Sequence, residues 1–324
     1  MGSPPPVERL DLRLIAAHPE LSRRKAREVI EKGQVTVDGD LAREPGAMVT
    51  AAAAVVWDVN RKAMSRARLS LARLYEDETV IVVDKPAGLL SVPSAPGKEG
   101  EDTARDRVYD YAAKLHPRRP FVGAVHRLDR DTSGALAFAL TPAARAGLRE
   151  LFSRHAIVRR YLAIVRVGAS GPVAGGVDRG VIDLPVHTEY VAGRRRIARP
   201  GEPSLEARTL WRVRERFGEA ALLEVELETG RQHQIRLHLA QVGMPVLGDR
   251  VYGPKRSGAA RGGRHLEAGR QMLHASWLEL SHPLTGVKVR AESPLPQDLG
   301  TLLDQLRQQS ASKERTARRS QSPT

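Results

Sequence analysis

Apolar positions recur along this chain with two different periods, and the switch between them outlines its organisation. Leu10, Leu14 and Ile15 mark a short amphipathic helix. Ser22 is a good N-cap for a second helix that buries Ala26, Val29 and Ile30 and stops at Gly33. Val35-Thr36-Val37, the Asp38-Gly39 turn and Val55-Val56-Trp57 then read as short strands. Further on, Val80 to Val83 forms an apolar strand that breaks at Asp84-Lys85-Pro86-Ala87-Gly88. A polar loop over 94–102 precedes a helix over 104–115. Phe121 to Val125 and Ala135 to Leu140 read as strands, and Thr141-Pro142 starts a helix reaching about Ser153. Tyr161 to Val167 and Leu222 to Leu227 complete the strand pattern, with Gly230 as a break before a helix over 232–241.

Strands here follow one another through turns rather than alternating regularly with helices. That predicts an α+β fold: a mixed, largely antiparallel sheet flanked by helices and loops, preceded by a small α/β domain. The expected divisions are a flexible leader over 1–6, a small domain over 7–60, a basic linker over 61–73 and a main domain over 74–297. Residues 298–324 would be a helix end and a disordered basic tail. Residues 253–270, rich in Gly, Arg and Lys, read as a mobile basic loop.

Charge narrows the partners. The 324 residues carry a formal net charge of +14, which favours a polyanion, nucleic acid first. A lack of cysteine excludes disulfides and thiolate metal sites. No apolar run is long enough to span a bilayer, and the first residues lack a signal-peptide pattern, so a cytoplasmic protein is expected. In the second helix Arg23, Arg24, Lys25 and Arg27 fall in the first two turns, where cations oppose the helix dipole. They form either a solvated face or a contact surface for phosphates.

Candidate chemistry concentrates between two strands, in His126-Arg127-Leu128-Asp129-Arg130-Asp131-Thr132-Ser133-Gly134. So many ionisable groups beside buried strands are costly unless they pair or react. Asp129 between Arg127 and Arg130 is either a structural ion pair or a working carboxylate, and Asp131 can cap the turn formed with Thr132 and Ser133. A second cluster is Gly230-Arg231-Gln232-His233-Gln234-Ile235-Arg236-Leu237-His238. Its histidines are five apart, which is wrong for a zinc helix. The helix start together with Arg231 suits an anion or a carboxylate. Arg160-Tyr161 at a strand start and Gly248-Asp249-Arg250-Val251-Tyr252 in a loop say little alone.

Taken together and in order, these segments resemble the RluA-type pseudouridine synthases. The similarity rests on Asp84 to Gly88, His126 to Asp129 with Thr132 to Gly134, Arg160-Tyr161, Gly230 to His238, Gly248 to Arg250 with Tyr252, and Leu273 to Ala275 with His282-Pro283. Residues 7–60, with Val35-Thr36-Val37-Asp38-Gly39, resemble the ribosomal-protein-type (S-four) RNA-binding module. The resemblance implies isomerisation of specific uridines to pseudouridine in RNA, most of all large-subunit ribosomal RNA, by a monomer without cofactor or metal. It makes Asp129 the catalytic carboxylate, Arg231 its basic partner and Tyr161 the tyrosine that stacks on the uracil. Arg127 would fill space near the flipped base, and Arg23, Arg24, Lys25 and Arg27 would hold phosphates. The competing readings are a non-catalytic RNA-binding or ribosome-assembly factor on the same fold, and a hydrolase using Asp129 with Asp131. The latter would want an aromatic sugar cleft, against 4% aromatic residues here.

Overall fold

The computed structural model describes residues 7–42, 44–61, 71–95, 101–115, 120–191, 193–254 and 268–320, the last eight and residue 115 as backbone only. Its first part is built from β1 (Val7–Arg9), α1 (Leu10–Ala17), α2 (Arg23–Glu31), β2 (Val35–Val37), β3 (Asp40–Ala42), β4 (Met48–Thr50) and β5 (Val55–Trp57). The Ser22 hydroxyl accepts the Lys25 amide at 3.2 Å, so the cap expected from the sequence starts α2. Asp38 (φ 52°) and Gly39 (φ 84°) turn the chain left-handed between β2 and β3, as a two-residue hairpin loop requires. β3, β2 and β5 form one small sheet. Leu10, Leu14, Ala26, Val29, Ile30 and Val35 close a core of their own, and α2 turns Arg23, Arg24, Lys25 and Arg27 to solvent.

The main sheet follows. In chain order come β6 (Ala72–Glu76), β7 (Val80–Lys85), α3 (Ala104–Leu115), β8 (Gly123–Ala124), β9 (Ser133–Ala139), α4 (Pro142–Ser153), β10 (Ile157–Arg166), β11 (Arg179–Asp183), β12 (Val186–His187), β13 (Ser204–Leu205), β14 (Arg208–Arg216), β15 (Ala220–Leu227), α5 (Gln234–Gln241), β16 (Leu273–Ser281), β17 (Lys288–Glu292) and α6 (Gln297–Ser320). The strand order is β11-β14-β15-β10-β16-β9-β7-β6, with β17 beside β16 and β8 beside β9. Every pair is antiparallel except β16 with β9, which run parallel through His274–Ser133 and Ala275–Gly134. The sheet is therefore mixed and largely antiparallel, in agreement with the α+β expectation. Its two faces bury two clusters, one around Leu136, Phe138, Ile164 and Leu223, the other around Val80, Val82, Ala137 and Leu278.

Gly134 makes the parallel joint possible. Its φ of +119° suits glycine, and a Cβ there would lie 2.2 Å from the Ala275 carbonyl oxygen. β9 is thus pressed against β16 at the residue that ends the charged stretch.

Some expectations need correction. Only Gly123 and Ala124 of the 121–125 segment join the ladder. The residues expected to form a disordered tail instead continue α6 to Ser320. Leu299, Leu302, Leu303 and Leu306 anchor that helix in the core, and Arg307 pairs with Glu215 at 2.6 Å. Once a helix is nucleated, polar residues of good propensity extend it at little cost. Arg270 is no part of a loose loop: it pairs with Asp298 at 2.6 Å and donates to the Asp131 carbonyl at 3.0 Å. β6 begins inside the expected linker. The leader, most of that linker and the centre of the basic loop lie outside the described residues.

Candidate active site

Between β8 and β9 the charged stretch forms a loop held by the side chains of Ser91 and Lys85. Ser91 donates its hydroxyl to the Leu128 carbonyl at 2.8 Å and accepts the Leu128 amide at 3.0 Å. The buried Lys85 ammonium donates to the carbonyls of Pro86, Leu89 and Arg130 at 2.8, 2.7 and 3.0 Å. Three acceptors match its three N–H groups, while burial pushes its pKa down to about 7. The Asp-Lys-Pro-Ala-Gly turn thus acts as the seat of the 126–134 loop. Within that loop the Thr132 amide donates to the Asp129 carbonyl at 3.1 Å, which closes the turn presenting Asp129. His126 accepts the Ala137 amide on Nε2 at 2.9 Å and stacks on Phe152. A ring nitrogen that accepts is unprotonated, and burial, aided by Arg159, pushes the pKa of this imidazole down to about 3.

Among the described residues Asp129 is the one carboxylate on the wall of a cleft of about 510 Å³ lined also by Tyr161, Arg127, Arg231, His233 and Arg236. Asp131 is exposed and does not line it. The Arg236 guanidinium donates Nη1–H to Asp129 Oδ2 at 2.9 Å. Its other edge forks onto Asp249, with Nε at 2.7 Å from Oδ2 and Nη2 at 3.0 Å from Oδ1. Asp249 also accepts the amides of Val251 and Tyr252 at 2.8 and 3.0 Å. Burial disfavours charge on Arg236, but both carboxylates outweigh it and raise its pKa. Burial likewise works against the Asp249 carboxylate, and the bonds from Arg236 and the two amides hold it low. The result is a planar cation fixed on one side by a structural carboxylate and aimed with an Nη1–H at Asp129.

The partner of Asp129 is therefore Arg236 rather than Arg231. Arg231 also lines the cleft, but its Nε donates to the Glu206 carbonyl at 2.9 Å. The reason lies at the start of α5. His233 is left-handed (φ 60°), so the helix begins at Gln234 instead of 232. Buried Gln234 ties the turn by accepting the Arg231 amide at 2.9 Å and the Thr229 hydroxyl at 2.8 Å. Arg231 is left before the helix, while Arg236 sits between buried Ile235 and Leu237. His233 and Arg236 both face Asp129. The Nε2 of His233 is 3.9 Å from Asp129 Oδ1, and its Nδ1 is 3.1 Å from the Tyr252 hydroxyl. His238 turns away, toward Thr209 and the Leu184 carbonyl, at 2.9 Å each.

Tyr161, only 7% exposed, reaches the cleft from β10. Burial and the nearby Asp129 raise its pKa, with Arg159 opposing them, so it enters the cleft as a neutral phenol. Arg127 is exposed on the cleft wall. Arg23, Arg24, Lys25 and Arg27 lie on α2, where Lys25 meets Glu28 at 3.4 Å. The role of Asp249 was missed from sequence because its neighbour there is Arg250, whereas its partner lies 13 residues away.

A strongly basic chain with one guanidinium-clamped carboxylate in a cleft of nucleotide size has the features of an RNA-acting enzyme. Known proteins specify which. The family model for RNA pseudouridylate synthase matches residues 79–241, and that for the S4 domain matches residues 8–55. A protein named ribosomal large subunit pseudouridine synthase D from Xanthomonas campestris pv. campestris is 37% identical over 319 residues, spanning 96% of this chain and 92% of that one. Proteins of the same name from Pseudomonas aeruginosa and Escherichia coli K12 are 36% and 33% identical, over 93% of this chain in each case and 92% and 91% of theirs. Among solved structures, human RNA pseudouridylate synthase domain containing 4 superposes with a TM-score of 0.57 at 23% identity, over 74% of this chain and 95% of that one. That likeness concerns the fold. The chain belongs to the RNA pseudouridylate synthase family and is an RNA pseudouridine synthase with an S4 domain.

Proposed function

We propose that this enzyme isomerises specific uridines of large-subunit ribosomal RNA, with Asp129 as the reacting group and no cofactor. The observation that carries this reading is Asp129 itself: among the described residues the one carboxylate on the cleft wall, held by Arg236 and lining the same cleft as the Tyr161 phenol. Pseudouridine formation breaks the bond from ribose to N1 of uracil, turns the base and rejoins it through C5. Nothing is oxidised and no group is imported, so a positioned carboxylate suffices. It serves equally whether it attacks the ribose, attacks the base or takes a proton on a glycal route.

The other residues follow from that role. A uracil inside a helix is out of reach, so the nucleotide leaves its stack and enters the cleft. Tyr161 offers a flat apolar face for the base and a proton. Arg127, exposed on the wall, fills the gap beside the flipped nucleotide. Arg231, bonded to the Glu206 carbonyl, serves as a further cation of the wall rather than as the partner of Asp129. Arg23, Arg24, Lys25 and Arg27 hold phosphates outside the cleft, which positions the RNA without reading its bases. The division proposed is an RNA-binding domain over 7–60 and a catalytic domain over 74–297, acting as a monomer in the cytoplasm. The ribosomal substrate draws support from the names of the curated relatives.

The experiment is to map pseudouridines in large-subunit ribosomal RNA from a strain lacking this protein. Loss of one or a few sites, restored by the wild-type gene, supports the reading. An unchanged map overturns the choice of substrate.

A further inference from the structure

Arg159 is a buried cation for which the described residues supply no anion within 4 Å. It lies on β10 two residues before Tyr161 and on the same face, and it lines the same cleft. The residue is 7% exposed. Among the described residues no carboxylate approaches it within 4 Å; Asp129 is taken by Arg236 and Asp249 by the other edge of Arg236. Its bonds inside the protein are two long ones from Nη2, to the carbonyls of Leu227 and Glu228 at 3.3 and 3.4 Å. Its Nε is buried without a partner. Nη1 lies next to Gly230, where an added Cβ would come within 2.6 Å of it, and that glycine is exposed on the cleft wall. Phe152 offers its ring face at 5.7 Å. Burial lowers the pKa of Arg159.

A buried charge normally has its counterion in the protein, because removing it from water is expensive. Two carbonyls and a ring do not supply one. We infer that Arg159 is a substrate-positioning residue that binds the phosphodiester flanking the flipped uridine, so the RNA brings the counterion that the described residues do not supply. The inference rests on the proposed ribosomal RNA isomerisation. A full negative charge is favoured over a uracil carbonyl because the unmet requirement is a charge, not merely an acceptor. Position agrees: Gly230 above it and Ser153 and His155 beside it on the wall are exposed, so the guanidinium stands toward the mouth, where the strand of a flipped nucleotide passes. The glycine before Arg231 then acquires a purpose, since any side chain there would displace the guanidinium or cover it.

The test compares full-length wild type, Arg159→Met and Arg159→Lys on an RNA fragment bearing the uridine identified by the mapping. The fragment carries either native phosphates or one methylphosphonate on the 5′ or the 3′ side of that uridine. Conversion of the native fragment by the wild type is the control, and its absence overturns the ribosomal reading and this inference with it. Arg159→Met is expected to raise KM about tenfold and to lower the salt slope of binding by about one. Its thermal midpoint should hold or rise, because an unpaired buried charge has gone, and Arg159→Lys should recover part of the affinity. A methylphosphonate at one of the two positions should weaken the wild type but not Arg159→Met. An unchanged salt slope, additive losses from methylphosphonate and mutation, or a loss of affinity that merely follows a fall in thermal midpoint would overturn it.

Discussion

Arg236 and Asp129 stand 107 positions apart in the chain and meet through one hydrogen bond of 2.9 Å. The contact couples the start of α5 to the loop between β8 and β9. Asp249, on the far edge of the guanidinium, fixes its plane.

Removing that guanidinium should damage two things together. Arg236→Ala leaves Asp249 buried and unpaired, which costs about 3–5 kcal/mol of stability. It also frees Asp129 to swing, and a misplaced reacting group costs about 10²-fold in rate. Arg236→Lys keeps the charge but not the fork, so it should recover more stability than rate. Arg231→Ala should lose far less of either. Thermal midpoints and single-turnover rates of the three variants check this; equal losses for Arg231→Ala and Arg236→Ala would contradict the assignment of the pair.

That pair also shows where sequence reading stops. Asp129 and Tyr161 were singled out through the family resemblance, which rests on linear motifs beside strands, and the structure places both on the cleft wall. The choice between Arg231 and Arg236 depended on a left-handed His233, which shifts the helix start by two residues, and nothing local announces that turn. Asp249 said little in its own loop, because its partner Arg236 lies 13 residues away on another element. The mixed sheet was legible from adjacent strands joined by turns, but the parallel joint at Gly134 and Ala275 was not, since it brings together residues from distant parts of the chain. Composition misread the tail: its polarity argued for disorder, whereas four leucines upstream anchor the helix that carries it.

Acid should destabilise the protein through His126. Its folded pKa is about 3, against an ordinary value of 6.5. Above pH 6.5 the ring is neutral in both states and contributes no pH dependence. Between pH 6.5 and about 3 the unfolded chain takes up a proton that the native ring does not, so stability falls as pH falls. His126→Gln keeps an acceptor for the Ala137 amide without titrating. Its denaturation midpoints should therefore decline less steeply across that window than those of the wild type; parallel curves would show that His126 is not the group responsible.

The basic face of α2 should matter for binding and not for folding. Replacing Arg23, Arg24, Lys25 and Arg27 by Gln should reduce the salt slope of RNA binding by about 0.7 for each phosphate left without its cation. The thermal midpoint should hold or rise, since these cations oppose the helix dipole. A filter-binding series from low to high salt measures the slope, and identical slopes for variant and wild type would leave the four residues as a solvated face.

The central claim, that Asp129 is the reacting group, is tested most directly by Asp129→Asn. The substitution preserves shape and an acceptor for the Arg236 N–H while removing the carboxylate. The measurement is pseudouridine formed in large-subunit ribosomal RNA lacking the modification, with thermal midpoint and RNA affinity determined on the same preparation. The account predicts no pseudouridine, together with a nearly wild-type midpoint and affinity. Turnover by the folded Asp129→Asn enzyme would contradict it.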